Sequence, residues 1–211
     1  MPIIIKVFTL GPLQNNSYLL IDSLSKSAAL IDPPYGVDAI SQYMETQKID
    51  LQMILITHAH FDHIGGVNTL VQSNPKSLEL YLHPDDQRLW DNGGGAKEFG
   101  FYLELPVLTP KSALDQAIIY LGDNKIQVRH TPGHSSGHVV YYLPEQKSLF
   151  CGDLIFYHGV GRTDLPGGSA RTLIQSIEKH ILTVPDDVRL YPGHGAATTV
   201  GEERVHNPFL I

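Results

Sequence analysis

Short apolar runs recur along the chain, and most of them are bounded by glycine, proline or asparagine. Runs at residues 3–10, 17–22 and 28–32 predict three consecutive strands. In residues 37–46 the apolar side chains lie at helical spacing, which predicts an amphipathic helix. Residues 51–57 are apolar without alternation, a pattern that is typical of a strand buried on both faces.

The rest of the chain continues with strands and helices interspersed. Three glycines within residues 91–95 predict a surface or rim loop, and two prolines within 103–114 predict irregular chain. The tail from 201 to 211 has few structural cues. The remaining patterns predict helices at 63–72, 84–90 and 172–181, and strands at 77–82, 117–121, 125–130, 138–143, 147–151 and 188–191. We therefore expect an α/β (α+β) fold that forms one domain over residues 1–211, with sheets inside and helices outside.

The composition narrows the class of protein. Apolar residues make up 42% of the 211 residues and charged residues 18%, which is typical of a globular chain with a sizeable core. The net charge is −7 and no lysine- or arginine-rich segment occurs, which argues against a nucleic-acid partner. No apolar run reaches the length of a membrane span, and the N-terminus does not resemble a signal peptide. The single cysteine, Cys151, excludes an internal disulfide, so we expect a soluble cytoplasmic protein.

The stretch that directly follows the strand at 51–57 is rich in metal-ligand side chains. His58, His60, Asp62 and His63 fall within six residues. Alternate side chains of an extended segment point to the same side, so His58 and His60 can face one point. Asp62 and His63 follow where the chain must turn, and they can face another. This spacing predicts two adjacent metal ions rather than a histidine-rich loop without a ligand.

The same local pattern occurs three more times. An apolar strand ends and is followed, next to a glycine, by His134, by Asp153 and by His194. Glycine permits the close backbone approach or unusual backbone angle that a compact ligand cluster needs. Rigid strand ends hold ligands at the precise distances that a metal site requires. Four strand ends with one pattern therefore predict a shared metal centre.

Five imidazoles and two carboxylates are enough for two sites. His58, His60 and His134 would form one site, and Asp62, His63 and His194 the other, with Asp153 bridging them. Nitrogen and oxygen ligands without a thiolate suit zinc, iron or manganese. Neither site would be closed by four protein ligands of its own, so open positions remain for water or substrate, which indicates catalysis.

This ordered set of ligands resembles the metallo-β-lactamase-fold superfamily. Two further segments, 161–168 and 202–210, resemble the short bacterial members of its glyoxalase II-like (hydroxyacylglutathione hydrolase-like) branch. The resemblance implies a four-layer αββα sandwich and two divalent ions per chain, with zinc first and iron or manganese as alternatives. The additional C-terminal glutathione-binding helical region of typical glyoxalase II is not expected here. The β-lactamases often carry a cysteine near the position of Asp153, so the aspartate argues against antibiotic hydrolysis.

The resemblance implies hydrolysis of a small thioester such as S-lactoylglutathione by a metal-activated water, and Asp62 would also orient that nucleophile. Candidate substrate contacts are Arg162, which could instead pair with Asp164 or Glu202 to brace its loop, and Tyr142, although a hairpin tyrosine more often packs. His138 is close enough in sequence to His134 to support it.

Four alternatives stay open from the sequence. They are hydrolysis of another small ester or thioester, oxidation of glutathione persulfide by a mononuclear iron enzyme of the same fold, a non-catalytic binding role, and an RNA-processing nuclease. The complete second ligand set argues against the persulfide dioxygenase, the intact seven positions against a binding protein, and the net charge of −7 against the nuclease.

Overall fold

A computed structural model describes residues 3–74 and 78–210, and within them two six-stranded sheets form the centre of the molecule. The first sheet has the order β1-β2-β3-β4-β5-β6. Its strands β1 to β3 pair antiparallel, whereas β3 to β6 pair parallel. Its strands are β1 (Ile3–Leu10), β2 (Asn15–Asp22), β3 (Ser27–Ile31), β4 (Asp50–Leu55), β5 (Glu79–Leu82) and β6 (Lys111–Ser112).

The second sheet has the order β14-β13-β10-β9-β8-β7, and β10 and β13 are its parallel pair. Its strands are β7 (Ile118–Leu121), β8 (Asn124–His130), β9 (Val139–Leu143), β10 (Ser148–Gly152), β13 (Arg189–Pro192) and β14 (Thr198–Thr199). A separate hairpin, β11 (Ile155–Phe156) and β12 (Gly159–Val160), follows β10.

Helices cover the outer faces of both sheets. The helices are α1 (Asp38–Gln47), α2 (Phe61–Ile64), α3 (Val67–Ser73), α4 (Gln87–Asp91), α5 (Ala170–His180) and α6 (Val200–His206). Apolar side chains from α1 to α4 pack on the first sheet, and those from α5 and α6 pack on the second. A third apolar cluster fills the space between the sheets. The predicted four-layer αββα sandwich is therefore confirmed.

Strand β4 corresponds to the apolar run at 51–57, whose lack of alternation predicted burial on both faces. Met53 and Leu55 face the core between the sheets, whereas Ile54 faces the helical layer. The strand is buried on both faces over this part, as its sequence predicts. Its C-terminal end therefore lies inside the sandwich and cannot shift without disturbing two cores.

Several elements of the structure differ in detail from the elements that the sequence predicts. The helix expected at 63–72 is two helices, α2 and α3, because the chain turns at Gly65 and Gly66, and a side chain on Gly66 would collide with Val37. Residues 84–90 form a short 3-10 turn, Pro84–Asp86, before α4. The three glycines expected in a surface or rim loop have left-handed backbone angles, and two of them interrupt the 3-10 segment Gly93–Phe99 with a kink.

Helix α6 forms in the C-terminal tail, for which the sequence offered few structural cues. Ser77, the predicted start of the strand at 77–82, lies outside the described residues. Within those residues, no helix combines the length and the apolar character needed to cross a membrane.

Candidate metal centre

The predicted ligand side chains meet at one edge of the sandwich because strands of the same direction end there. β3 and β4 are parallel neighbours in the first sheet, and β10 and β13 are parallel neighbours in the second. Carboxyl ends of parallel strands lie at the same edge of a sheet. The side chains that follow these ends and the end of β8 are His58, His60, Asp62, His63, His134, Asp153 and His194.

The first group consists of three histidines whose ring nitrogens converge. His58 Nε2 lies 3.1 Å from His134 Nε2, and His60 Nδ1 lies 2.9 Å from the same atom. All three side chains are buried. Burial, and after it the neighbouring His134, lower the pKa of His60 to about 3. Burial also lowers the pKa of His58 well below its usual value. These two rings are therefore neutral at physiological pH, which is the form that binds metals.

The second group consists of Asp62, His63 and His194. Asp62 Oδ2 lies 3.1 Å from His194 Nε2 and 3.6 Å from His63 Nε2. Burial alone would lower the pKa of His63, but the surrounding carboxylates outweigh it and raise that pKa well above its usual value. The group therefore attracts positive charge, as a cation site must.

Asp153 lies between the two groups. Its carboxylate oxygens are 3.3 Å from His63 Nε2, 3.8 Å from His134 Nε2 and 3.7 Å from His194 Nε2. Burial alone would raise the pKa of Asp153, but the neighbouring histidines, His63 first, hold it well below its usual value. The carboxylate is therefore ionised and reaches donors of both groups, as the bridging role requires.

Hydrogen bonds fix the tautomers of two histidines through one carboxylate. His63 Nδ1 donates to Asp32 Oδ2 at 2.9 Å, and the Thr57 hydroxyl donates to the same oxygen at 2.6 Å. The Thr57 oxygen can then accept from His58 Nδ1, which lies 3.1 Å away. When either ring is neutral, its proton therefore sits on Nδ1 and the lone pair of Nε2 faces the site.

Backbone carbonyls orient two more rings. His134 Nδ1 donates to the carbonyl oxygen of Arg162 at 2.8 Å, and His194 Nδ1 donates to that of Leu13 at 3.1 Å. These bonds turn the Nε2 atoms of His134 and His194 toward the site. Four of the five histidines are therefore held in the orientation that lets a neutral ring offer its Nε2 lone pair to a metal.

The site fits divalent cations on two further observations. His63 Nε2 and Asp153 Oδ1 are buried and have no hydrogen-bond partner, although buried polar atoms are nearly always paired. The glycines next to the ligands are also required. A Cβ on Gly193 would lie 2.2 Å from Asp153 Oδ1, and one on Gly152, whose φ is +50°, would lie 2.4 Å from Thr57 Oγ1. The donor set is thus close-packed around atoms that lack a partner.

Asp32 belongs to this centre and was not found from the sequence. It follows β3 and is only 2% exposed, and its oxygens accept from Thr57 N and Thr57 Oγ1 as well as from His63. The sequence could have identified Asp32 as part of the centre, because it is one more carboxylate at the end of an apolar run. The two prolines that follow mark the end of the predicted strand at 28–32, and Asp32 was counted as its last residue.

The two predicted substrate contacts, Arg162 and Tyr142, lie in different surroundings. Arg162 pairs with Asp164 through two bonds of 2.8 and 2.7 Å, so its loop-bracing alternative is what the structure shows. Tyr142 does not line the centre, and that prediction is wrong. It is buried in the core between the second sheet and α5, and the Arg129 guanidinium lies 4.5 Å from its ring centre. The centre lies at the opposite end of β9, beside His138.

His138 is close to the ligands without bonding to them. Its ring stacks on that of His58 with centres 5.1 Å apart, and its Nδ1 pairs with Thr131 Oγ1 at 2.9 Å. His138 therefore supports the first group by packing.

A groove of about 790 Å³ lies beside the first group. Ser135 and Ser136, which follow His134, form part of its wall. The charged residues of its lining are Arg88 and Lys97 together with Asp85, Asp86, Asp91 and Glu98. The volume is in the range of pockets that hold small molecules.

Comparisons with known proteins agree with this geometry. The family described as the metallo-beta-lactamase superfamily matches residues 10–194. The chain belongs to this superfamily. With its two groups of histidine and aspartate ligands, it is a metal-dependent hydrolase of the metallo-beta-lactamase fold.

Similar proteins cover nearly the whole chain. Hydroxyacylglutathione hydrolase GloC of Haemophilus influenzae is 34% identical over 98% of this chain and 97% of its own length. The crystal structure of BLEG-1 B3 metallo-beta-lactamase superposes with a TM-score of 0.89 and 36% identity, covering 98% of this chain and 99% of its own. That of TTHA1623 in a di-iron-bound form gives a TM-score of 0.87 and 40% identity, covering 97% and 100%.

Proposed function

We propose that this metallo-beta-lactamase-fold protein is a dinuclear hydrolase of small thioesters such as S-lactoylglutathione. The observation that carries the proposal is the pair of ligand groups with Asp153 between them. The similarity to GloC over almost the full length supports the substrate class.

Each residue of the centre has a defined role in this proposal. His58, His60 and His134 would hold one ion, and Asp62, His63 and His194 would hold the other. Two divalent ions bound here would lower the pKa of a coordinated water far below its usual value, so that hydroxide is available near neutral pH, and they would also polarise the substrate carbonyl.

The protein itself supplies the orientation. Asp32 and the backbone carbonyls keep the Nε2 atoms aimed at the site, and Asp62, whose Oδ2 lies 3.1 Å from His194 Nε2, orients the nucleophile. A thiol has a usual pKa of about 8.5, so the leaving group departs as a thiolate without a strong proton donor. The absence of a catalytic triad from the described side chains around the centre is consistent with that requirement. The groove beside His134 gives room for the thiol carrier.

Two other reactions are alternatives to thioester hydrolysis, and the experiment described below tests them as well. A mononuclear persulfide dioxygenase needs one ligand group, whereas here the second group is also assembled. β-Lactam hydrolysis has a specific reason for a test, because BLEG-1 B3 metallo-beta-lactamase is 36% identical. An aspartate at position 153 therefore does not by itself set that activity aside.

The deciding experiment measures metal content and activity on the same sample. Metal-free protein is loaded with zinc, iron or manganese, desalted, and assayed for metal per chain. The samples are then given S-lactoylglutathione, a chromogenic cephalosporin, or glutathione persulfide with an oxygen electrode. We expect two ions per chain and thioester cleavage that Asp153→Asn abolishes. One iron per chain with oxygen consumption, or cephalosporin cleavage without thioester cleavage, would overturn the proposal.

A further inference from the structure

Asp86 is a buried carboxylate outside both ligand groups, and it contacts the backbone of two ligand loops. It is 1% exposed. Its Oδ2 accepts from Ala59 N at 3.0 Å and from Ser135 Oγ at 2.7 Å, and its Oδ1 accepts from Gly137 N at 2.6 Å. Ala59 stands between His58 and His60 in the chain, and Ser135 directly follows His134. One carboxylate therefore joins the two loops that supply the first group.

The bonds of Asp86 differ from those that its position predicts. Asp86 is the N-cap residue of α4, where an aspartate usually accepts from a helix N–H. Its side chain makes no capping bond and turns to the ligand loops instead. The helix thus forgoes this side-chain cap, and the carboxylate serves the ligand loops instead.

Close packing limits any alternative arrangement. A Cβ on Gly137 would lie 2.5 Å from Asp86 N and 2.8 Å from Asp86 Cβ, so the two segments touch at a glycine. On the other side of the His58–His60 loop, a Cβ on Gly94 would lie 2.4 Å from Phe61 N and 2.5 Å from Ala59 O. The His58–His60 loop therefore lies between Asp86 on one side and Gly94 on the other. The Asp86 carboxylate supplies the hydrogen bonds that join this loop to the His134 loop.

We propose that Asp86 is a positioning residue that sets the distance between the His58–His60 loop and the His134 loop, and so the geometry of the first ligand group. The inference rests on the proposed function in one respect, that the first group holds an ion. It concerns metal binding alone and requires no particular substrate.

Asparagine is the sharpest replacement because it keeps the shape and removes the charge. Asp86 accepts two backbone N–H groups, one on each oxygen. With Asp86→Asn, either orientation of the amide sets an NH₂ group against one of these backbone N–H groups. The Ser135 hydroxyl can rotate to adapt, but the backbone donors cannot. One ligand loop must therefore shift.

The test measures metal binding without substrate. Metal-free Asp86→Asn is titrated with Co²⁺ against a chromogenic chelator, while the visible Co²⁺ spectrum reports ligand geometry. We expect the affinity of one ion per chain to fall roughly 10- to 100-fold, with a changed spectrum for that ion and an unchanged second ion. Asp91→Asn is the matched control, because Asp91 is the exposed last residue of α4 and its carboxylate accepts from Gln87 Nε2 at 2.8 Å rather than from a ligand loop.

The outcomes separate this inference from the proposed function. If wild-type protein binds no ion, the proposed function fails. If wild type binds two ions and Asp86→Asn binds both with wild-type affinity and spectrum, the positioning role is wrong. If Asp86→Asn does not fold, Ser135→Ala takes its place, because it removes one of the three bonds and leaves no backbone N–H unpaired. A few-fold loss at one ion then supports the role, and unchanged binding overturns it.

Discussion

At the scale of single residues, the centre divides into two groups that can be tested separately. His60 and His194 suit this test because they are the ligands whose other ring nitrogen has the fewest ties to the core. His60 has no partner other than ligand atoms, and His194 is tied to the Leu13 carbonyl alone. Removing either ring should leave the opposite group and both sheets intact.

We expect His60→Ala and His194→Ala each to keep one of two ions. His60→Ala removes a ligand of the first group and His194→Ala one of the second, and a site that loses one of few protein ligands binds far more weakly. Elemental analysis after desalting measures the ions per chain, and the thermal midpoint of the metal-free forms checks folding. Two retained ions in both variants, or none in either, would contradict two separable groups.

The sequence predicted the residues of the centre better than the residues around it. The seven ligand-type side chains were visible because each follows an apolar strand next to a glycine or in a dense cluster. Asp32 and Asp86 also lie near strand ends, but the pattern assigned Asp32 to the strand at 28–32 and Asp86 to the start of the helix at 84–90. Tyr142 was misplaced because the face of a strand residue depends on register, which one sequence does not specify.

At the scale of elements, helix α6 shows what local pattern cannot reveal. It has seven residues, too few to be stable alone. Its stability comes from tertiary contacts of Glu203, which is fully buried. Glu203 accepts from Thr198 Oγ1 at 2.7 Å, from His158 N at 3.0 Å and from Asn207 Nδ2 at 2.8 Å. The carboxylate thus joins α6 to the turn between β11 and β12.

We expect Glu203→Ala to lower the free energy of unfolding by about 3 kcal/mol, because it leaves three donors without their acceptor and opens a cavity. Urea unfolding at neutral pH measures the change. Glu202→Ala is the control. Its carboxylate pairs with His158 at 2.8 Å but is 38% exposed, so its loss should cost under about 1 kcal/mol. Equal effects of the two replacements would show that burial of Glu203 is not what stabilises α6.

At the scale of the whole molecule, the order of the layers followed from pattern and resemblance, but the pairing of the strands did not. β10 and β13 are neighbours although 36 residues separate Gly152 from Arg189. Apolar runs show which segments are buried, and they carry no information on which buried strands pair. The alignment of the two sheets likewise depends on contacts between distant residues, and Asp22 supplies one of them.

Asp22 ends β2 and reaches the second sheet. Its Oδ1 accepts from Leu24 N and Ser25 N at 3.0 and 2.9 Å, and its Oδ2 accepts from Asn124 Nδ2 at 3.0 Å at the start of β8. The backbone N–H of Ser25, and then that of Leu24, hold the pKa of Asp22 below its usual value against the opposing effect of burial. The unfolded chain therefore takes up this proton more readily than the folded one.

The sign of the pH dependence follows from this difference. Because the pKa of Asp22 is lower in the folded state, its contribution to stability is present above the unfolded pKa of about 3.9 and is lost as the pH falls through the lower folded value.

We expect Asp22→Asn to be less stable than wild type at neutral pH, and this difference in the free energy of unfolding to narrow below about pH 4. Urea unfolding from neutral to acid pH measures it, with metal removed from all samples. Asp123→Asn, an exposed change in the adjacent turn, should run parallel to wild type. A constant gap between Asp22→Asn and wild type at every pH would mean that the charge of Asp22 does not tie the two sheets together.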